Sequence, residues 1–131
     1  MKKYLADTTV IIEHLRGNEK ATKFLEKYHP YISIVTIAEL IQGSRNDRER
    51  ATALRTSNSL SHVFIDEKTS RLALELLSKF YLSHGLKFWD ALIAASAIGN
   101  KLVLVSENIK HFRFITGLEV VSQETAFKKS F

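Results

Sequence analysis

A chain of 131 residues, 45% hydrophobic and 25% charged, has room for one hydrophobic core and is short for two domains. Apolar runs recur along its whole length, which excludes disorder as its main state. It holds no cysteine, so disulfides, thiolate-bound zinc and a cysteine nucleophile are excluded; its formal charge of +5 suits a polyanionic partner and suits plain solubility equally well.

The first strand is expected over Lys3 to Ala6, with short helices over Thr8–Leu15 and Glu19–Tyr28. Its basic start has no long apolar run behind it, because Val10-Ile11-Ile12 is cut by Glu13-His14, so no signal peptide is expected. The second strand covers Tyr31 to Val35, and Thr36 introduces a helix through about Gly43. Asp47 to Ser59 is polar but competent to form a helix. His62 to Ile65 is the third strand, and Asp66 introduces a helix over Glu67 to His84. Phe88 to Gly99 is nearly all apolar and rich in alanine, the pattern of a helix buried on most sides. Leu102 to Val105 is the fourth strand, and Leu118 to Val121 supplies a fifth. Strands alternating with helices predict one α/β domain over 1–131 with a mainly parallel sheet, and the apolar strands Tyr31 to Val35 and Leu102 to Val105 belong in its interior. No apolar stretch reaches the ~20 residues that cross a bilayer, and a cysteine-free chain suits the cytoplasm.

Three acidic residues hold equivalent places in this scheme. Asp7 follows the first strand, Glu39 lies in the first turn of the helix after the second, and Asp90 lies in the first turn of the buried helix that leads to the fourth. In a parallel sheet the helix N-termini gather above the carboxyl ends of the strands, where such sheets bind ligands. Convergent carboxylates repel one another unless a cation joins them, and their oxygens suit Mg²⁺ or Mn²⁺. Such an ion lowers the pKa of bound water and stabilises charge on a reacting phosphate. Thr8-Thr9 behind Asp7, and Ser106-Glu107-Asn108 after the fourth strand, add oxygens at the same rim. Each acid also has a purely structural reading. Thr36-x-x-Glu39 fits a capping box, Asp7 an N-cap, and Asp90 a complement to the helix dipole.

Four blocks carry a resemblance that separates these readings. They are Tyr4-Leu5-Ala6-Asp7-Thr8-Thr9-Val10, Ser33 to Gly43 around Ala38-Glu39-Leu40, Asp90-Ala91-Leu92-Ile93-Ala94-Ala95, and Leu102 to Phe112 followed by Gly117-Leu118-Glu119-Val120. In content and order they resemble PIN-domain proteins, most closely the VapC toxins of bacterial and archaeal toxin–antitoxin pairs. The resemblance implies a three-layer α/β/α sandwich and a Mg²⁺-dependent endoribonuclease acting on structured RNA such as tRNA or rRNA. It implies Asp7 and Asp90 as Mg²⁺ ligands, with Mn²⁺ as substitute, and Glu39 as a third acid often acting through water. It implies a homodimer and a VapB-like antitoxin that inserts into the acidic groove. Many relatives carry another Asp in the last block, where this chain has Asn108 beside Glu107. Asn108 can bind or position water through its carbonyl but cannot act as a base, so one metal is expected rather than two. Thr8, Ser106 and Asn108 are the candidates for placing phosphate or water.

The other features have plainer readings. Lys87 and Lys110 lie nearest the rim, while Arg45, Arg48 and Arg50 alternate with Asp47 and Glu49 as on a solvated helix face. His14, His29, His62, His84 and His111 are scattered, without zinc-ligand spacing. Phe80, Tyr81, Phe88 and Trp89 suit base stacking less well than packing in a core or dimer, and the apolar helical segment Leu72 to Leu82 can supply an interface. The main rival is a protein of the same fold that binds RNA or forms a complex without cleaving. A receiver or nucleotide-binding domain is disfavoured by the lack of a glycine-rich phosphate loop. Cleavage of DNA is open to the same metal chemistry.

Overall fold

The structure, a computed structural model, describes residues 2–128. Along the chain run β1 (Tyr4–Ala6), α1 (Thr8–Leu15), α2 (Glu19–Tyr28), β2 (Tyr31–Ser33), α3 (Ile34–Gln42), α4 (Asp47–Asn58), β3 (Ser61–Val63), α5 (Glu67–His84), α6 (Phe88–Gly99), β4 (Val103–Ser106), a single 3₁₀ turn (Ile109–His111), β5 (Val120–Ser122) and α7 (Gln123–Lys128). The five strands form one parallel sheet in the order β3-β2-β1-β4-β5. This is the α/β/α sandwich that the resemblance implies.

Strand alternation divides the core into two layers. Leu5 and Leu104 face one side of the sheet and join Ala73, Leu76 and Phe80 of α5 and the apolar run of α6. Tyr4, Ala6, Val103 and Val105 face the other side and join Val10 and Ile11 of α1, Phe24 of α2 and Phe127 of α7. Interior strands that are apolar on both faces are what two helical layers require. Ala91, Ala94, Ala95 and Ala97 are fully covered, and their small side chains let α6 lie close to α5 and the sheet.

Local chemistry sets the helix ends. Asn18 caps α2 by accepting from the amides of Lys20 and Ala21, and Asp66 caps α5 by accepting from Thr69 at 2.8 Å. Gly85 closes α5 in the left-handed conformation, at φ +67°, with its N–H on the Tyr81 carbonyl.

Several expected boundaries move. β2 stops at Ser33, not Val35, because the Ser33 hydroxyl accepts from the Val35 amide at 3.0 Å and starts α3 at Ile34. Ile34 and Val35 favour strands by type, but the cap overrides that preference. Thr36 is therefore inside α3, not in front of it. β3 is Ser61–Val63, and Phe64 beyond it is 69% exposed at the sheet's edge. β4 and β5 each begin later and extend one residue further than expected, pairing Ser106 with Ser122. No described helix is long and apolar enough to cross a membrane.

The strand order fixes the place of the site. From β1 the chain builds outward through β2 and β3, then returns to lay β4 on the other side of β1. The order reverses between β1 and β4, and the crevice above the carboxyl ends of those strands is where open parallel sheets take ligands. Asp7 follows β1 and Ser106 ends β4 at that point.

Candidate active site

Asp7 is held from both sides of the crevice. Its amide donates to the Val105 carbonyl at 2.9 Å, which ties it to β4. One carboxylate oxygen accepts from the Thr8 amide at 2.8 Å, so Asp7 does cap α1. Capping occupies half of the carboxylate. The other oxygen accepts from the Ser106 hydroxyl at 2.7 Å, across 99 residues of sequence, and from Thr9 Oγ1 at 3.3 Å. Asp7 is only 6% exposed, and burial pushes its pKa up against the pull of these hydrogen bonds and of His111.

Ser106 is fully buried. Its hydroxyl donates to Asp7 and its oxygen accepts from the Asn108 amide at 3.0 Å. The Glu107 amide donates to Thr9 Oγ1 at 3.2 Å. The segment leaving β4 is thus stitched to the start of α1. The side chains of Glu107 and Asn108 remain exposed above it.

Glu39 is exposed and stands in the second turn of α3, not the first as expected, since that helix begins at Ile34. Its Oε1 accepts from Thr8 Oγ1 at 2.8 Å. The capping-box reading is thereby overturned: Ser33 is the cap, and Glu39 reaches α1 instead of its own helix start. Asp90 is the third residue of α6, a helix without a side-chain cap. Its pKa is pushed up to about 6, first by burial, then by the negative charge of Asp7, with Glu39 adding to both; His111 and Lys87 pull the other way. His111 Nδ1 stands 3.8 Å from Asp90 Oδ2.

The three acids therefore share one electrostatic neighbourhood, as the topology predicts. Among the described residues no three His, Asp or Glu side chains already form a ready-made ligand shell. Mg²⁺ asks for less, since it keeps several waters and binds through one or two carboxylates. The acidic donors here are carboxylate oxygens, and Asp7 and the half-buried Asp90 both carry pKa values raised first by burial. That donor set fits a hard divalent cation.

Other expectations find their places. Arg45, just before α4, pairs with Glu49, and Arg50 pairs with Asp47, on the solvated face of that helix. Phe80 is buried and packs against Phe114 at 5.3 Å, whereas Tyr81, Phe88 and Trp89 are exposed. Those three, with Leu74, Leu77 and Leu86, line an open groove of about 790 Å³ along α5 and the start of α6. Sequence reasoning missed the role of Thr36, which is fully buried beside Thr8. The spacing Ser33-x-x-Thr36-x-x-Glu39 holds the signal, but the β-branched residues around Ser33 favour a strand.

The pattern of the PIN domain family matches residues 4–115, a span that contains all three acids. Ribonuclease VapC19 of Mycobacterium tuberculosis (strain ATCC 25618 / H37Rv) is 27% identical over 120 residues, 88% of this chain and 96% of that protein. A chain of a toxin–antitoxin complex from Klebsiella pneumoniae superposes at a TM-score of 0.77 and 25% identity, covering 92% of this chain and 98% of its own. A chain of VapBC2 from Rickettsia felis, solved on a DNA fragment from its promoter, gives a TM-score of 0.79 at 23% identity, with 91% and 97% covered. This last likeness speaks for the fold alone. With the fold, the ordered blocks and the family pattern in agreement, the chain belongs to the PIN-domain family.

Proposed function

We propose that this chain is a Mg²⁺-dependent endoribonuclease, the toxin of a VapBC-type pair, hydrolysing phosphodiester bonds of structured RNA such as tRNA or rRNA. The observation that carries the reading is Asp90, a carboxyl raised to about 6 by burial and by the charges of Asp7 and Glu39. Carboxylates so crowded cost stability, and a hard cation is what removes the cost. Asp7 and Asp90 would hold Mg²⁺, or Mn²⁺ in its place, with Glu39 acting through water. When bound, the ion supplies a water of lowered pKa and neutralises charge developing on the scissile phosphate.

The chain's own residues do the rest. Ser106 and the Thr8 amide fix the Asp7 carboxylate, and Thr8 aims Glu39. Asn108, exposed at the mouth, places a water or phosphate oxygen through its side chain, and Lys87 and Lys110 meet flanking phosphates. The VapC19 relative and the Klebsiella complex support a ribonuclease with an antitoxin partner. An arginine or lysine of a VapB-like antitoxin would occupy the carboxylates in place of metal. The exposed apolar groove on α5 and α6 supports a homodimer.

The purified protein is expected to cleave RNA with Mg²⁺ or Mn²⁺ and to stop with EDTA. Asp7→Asn and Asp90→Asn, checked as folded by circular dichroism, are expected to lose at least ~100-fold in rate. Full cleavage by either folded variant would refute this centre, and RNA binding without cleavage by the wild type would refute the enzyme.

A further inference from the structure

Thr8 has one hydroxyl proton and two oxygen neighbours: Glu39 Oε1 at 2.8 Å and Thr36 Oγ1 at 3.1 Å. The carboxylate is nearer and is the stronger acceptor, so the Thr8 proton goes to Glu39. The contact with Thr36 must then be made by the Thr36 proton, with Thr8 Oγ1 accepting. Thr36 is the third residue of α3, too close to the helix start to have a helical carbonyl four residues behind it, and its hydroxyl meets Thr8 Oγ1, 28 residues away on α1.

We infer that Thr36 is a positioning residue for Glu39, acting through the hydroxyl of Thr8. The three oxygens form a relay, Thr36 to Thr8 to Glu39. Thr36 is fully buried and Thr8 nearly so, at 0% and 8% exposure, which shields the Thr36–Thr8 link from water, while the Thr8–Glu39 link is part-buried. A hydroxyl that accepts one hydrogen bond becomes a better donor in the next. Thr36 also selects the Thr8 rotamer that points at Glu39. Glu39 needs that help, because its long side chain lies on an exposed helix face where water competes for it.

The nuclease reading enters this inference only through its metal-binding test. Thr36→Val keeps the side-chain shape and removes the hydroxyl, while Thr36→Ser keeps the hydroxyl. Mn²⁺ titration calorimetry on the full chain without RNA is expected to show about tenfold weaker binding for T36V. T36S should stay within about twofold of wild type, and T36V should cause no further loss in a Glu39→Ala background. Wild-type affinity in T36V, an equal loss in T36S, or losses that add to those of E39A would each overturn the relay. Metal-free crystals of wild type and T36V provide a second readout, in which Glu39 Oε1 should leave Thr8 Oγ1 in the variant. Persistence of that contact would also overturn the relay, and T36A serves should T36V fold poorly. A wild type that binds no Mn²⁺ would sink the nuclease reading, and the crystal comparison would still decide the role of Thr36.

Discussion

The site should cost the metal-free protein stability, and Asp90→Asn should recover it. In the folded chain the Asp90 carboxyl rises from an ordinary 3.8 to about 6. At full strength such a rise corresponds to about 3 kcal/mol. The side chain keeps 25% of its exposure, so screening reduces this to roughly 1–2 kcal/mol. The sign follows from proton binding. The folded state holds the proton more tightly than the unfolded state, so the group does no harm below pH ~4. Its cost grows as pH rises toward 6 and is fully present above it. Asp90→Asn removes the charge at every pH. In EDTA at pH 7.5 the variant should melt roughly 3–8 °C above the wild type, and near pH 4 the two should melt together. Mn²⁺ should raise the wild-type melting temperature and raise that of the variant much less. Thermal denaturation followed by circular dichroism reads all of these. A variant that melts no higher than wild type at pH 7.5, or equally higher at both pH values, would show that Asp90 is not a strained carboxylate.

The clamp on Asp7 and the apolar groove make further predictions. Ser106→Ala deletes a buried 2.7 Å bond to a carboxylate and leaves the Asn108 amide unpaired. It should lower stability by about 1–3 kcal/mol in urea titrations and weaken Mn²⁺ about tenfold; unchanged stability would mean the bond carries nothing. Leu82, 95% exposed beside the α5–α6 groove, should become a dimer-breaking position when changed to Glu. Sedimentation velocity should then show a monomer for the variant and, on the proposed homodimer, a dimer for the wild type; an unchanged coefficient would place the dimer contact elsewhere.

The gathering of the acids was legible in the sequence because it follows from parallel topology. Asp7 and Asp90 sit at helix starts after or before identifiable strands, and the sheet brings such starts together. Their individual capping readings were harder to weigh, and the outcomes differ. Asp7 is a cap and more than a cap, whereas Glu39 is not part of a capping box at all. The second failure has a definite cause. Tyr31 to Val35 alternates in no useful way, and its β-branched residues conceal the cap at Ser33. The misplaced end of β2 put Thr36 in the cap position, whereas it lies in the first turn of α3, and hid its contact with Thr8. The Ser106–Asp7 bond was invisible for another reason. It depends on the register of β1 against β4, which pairs Ala6 with Val105, and no local pattern specifies that pairing.

The same register has a consequence for the timing of activity. The serine that fixes Asp7 is synthesised 99 residues after it. At ~5–20 residues per second, several seconds separate the two. Until β4 is laid beside β1 the nascent chain holds its acids without the strand that completes their setting. On the proposed function, the chain would gain its cleavage site only once β4 is in place, late in its own translation.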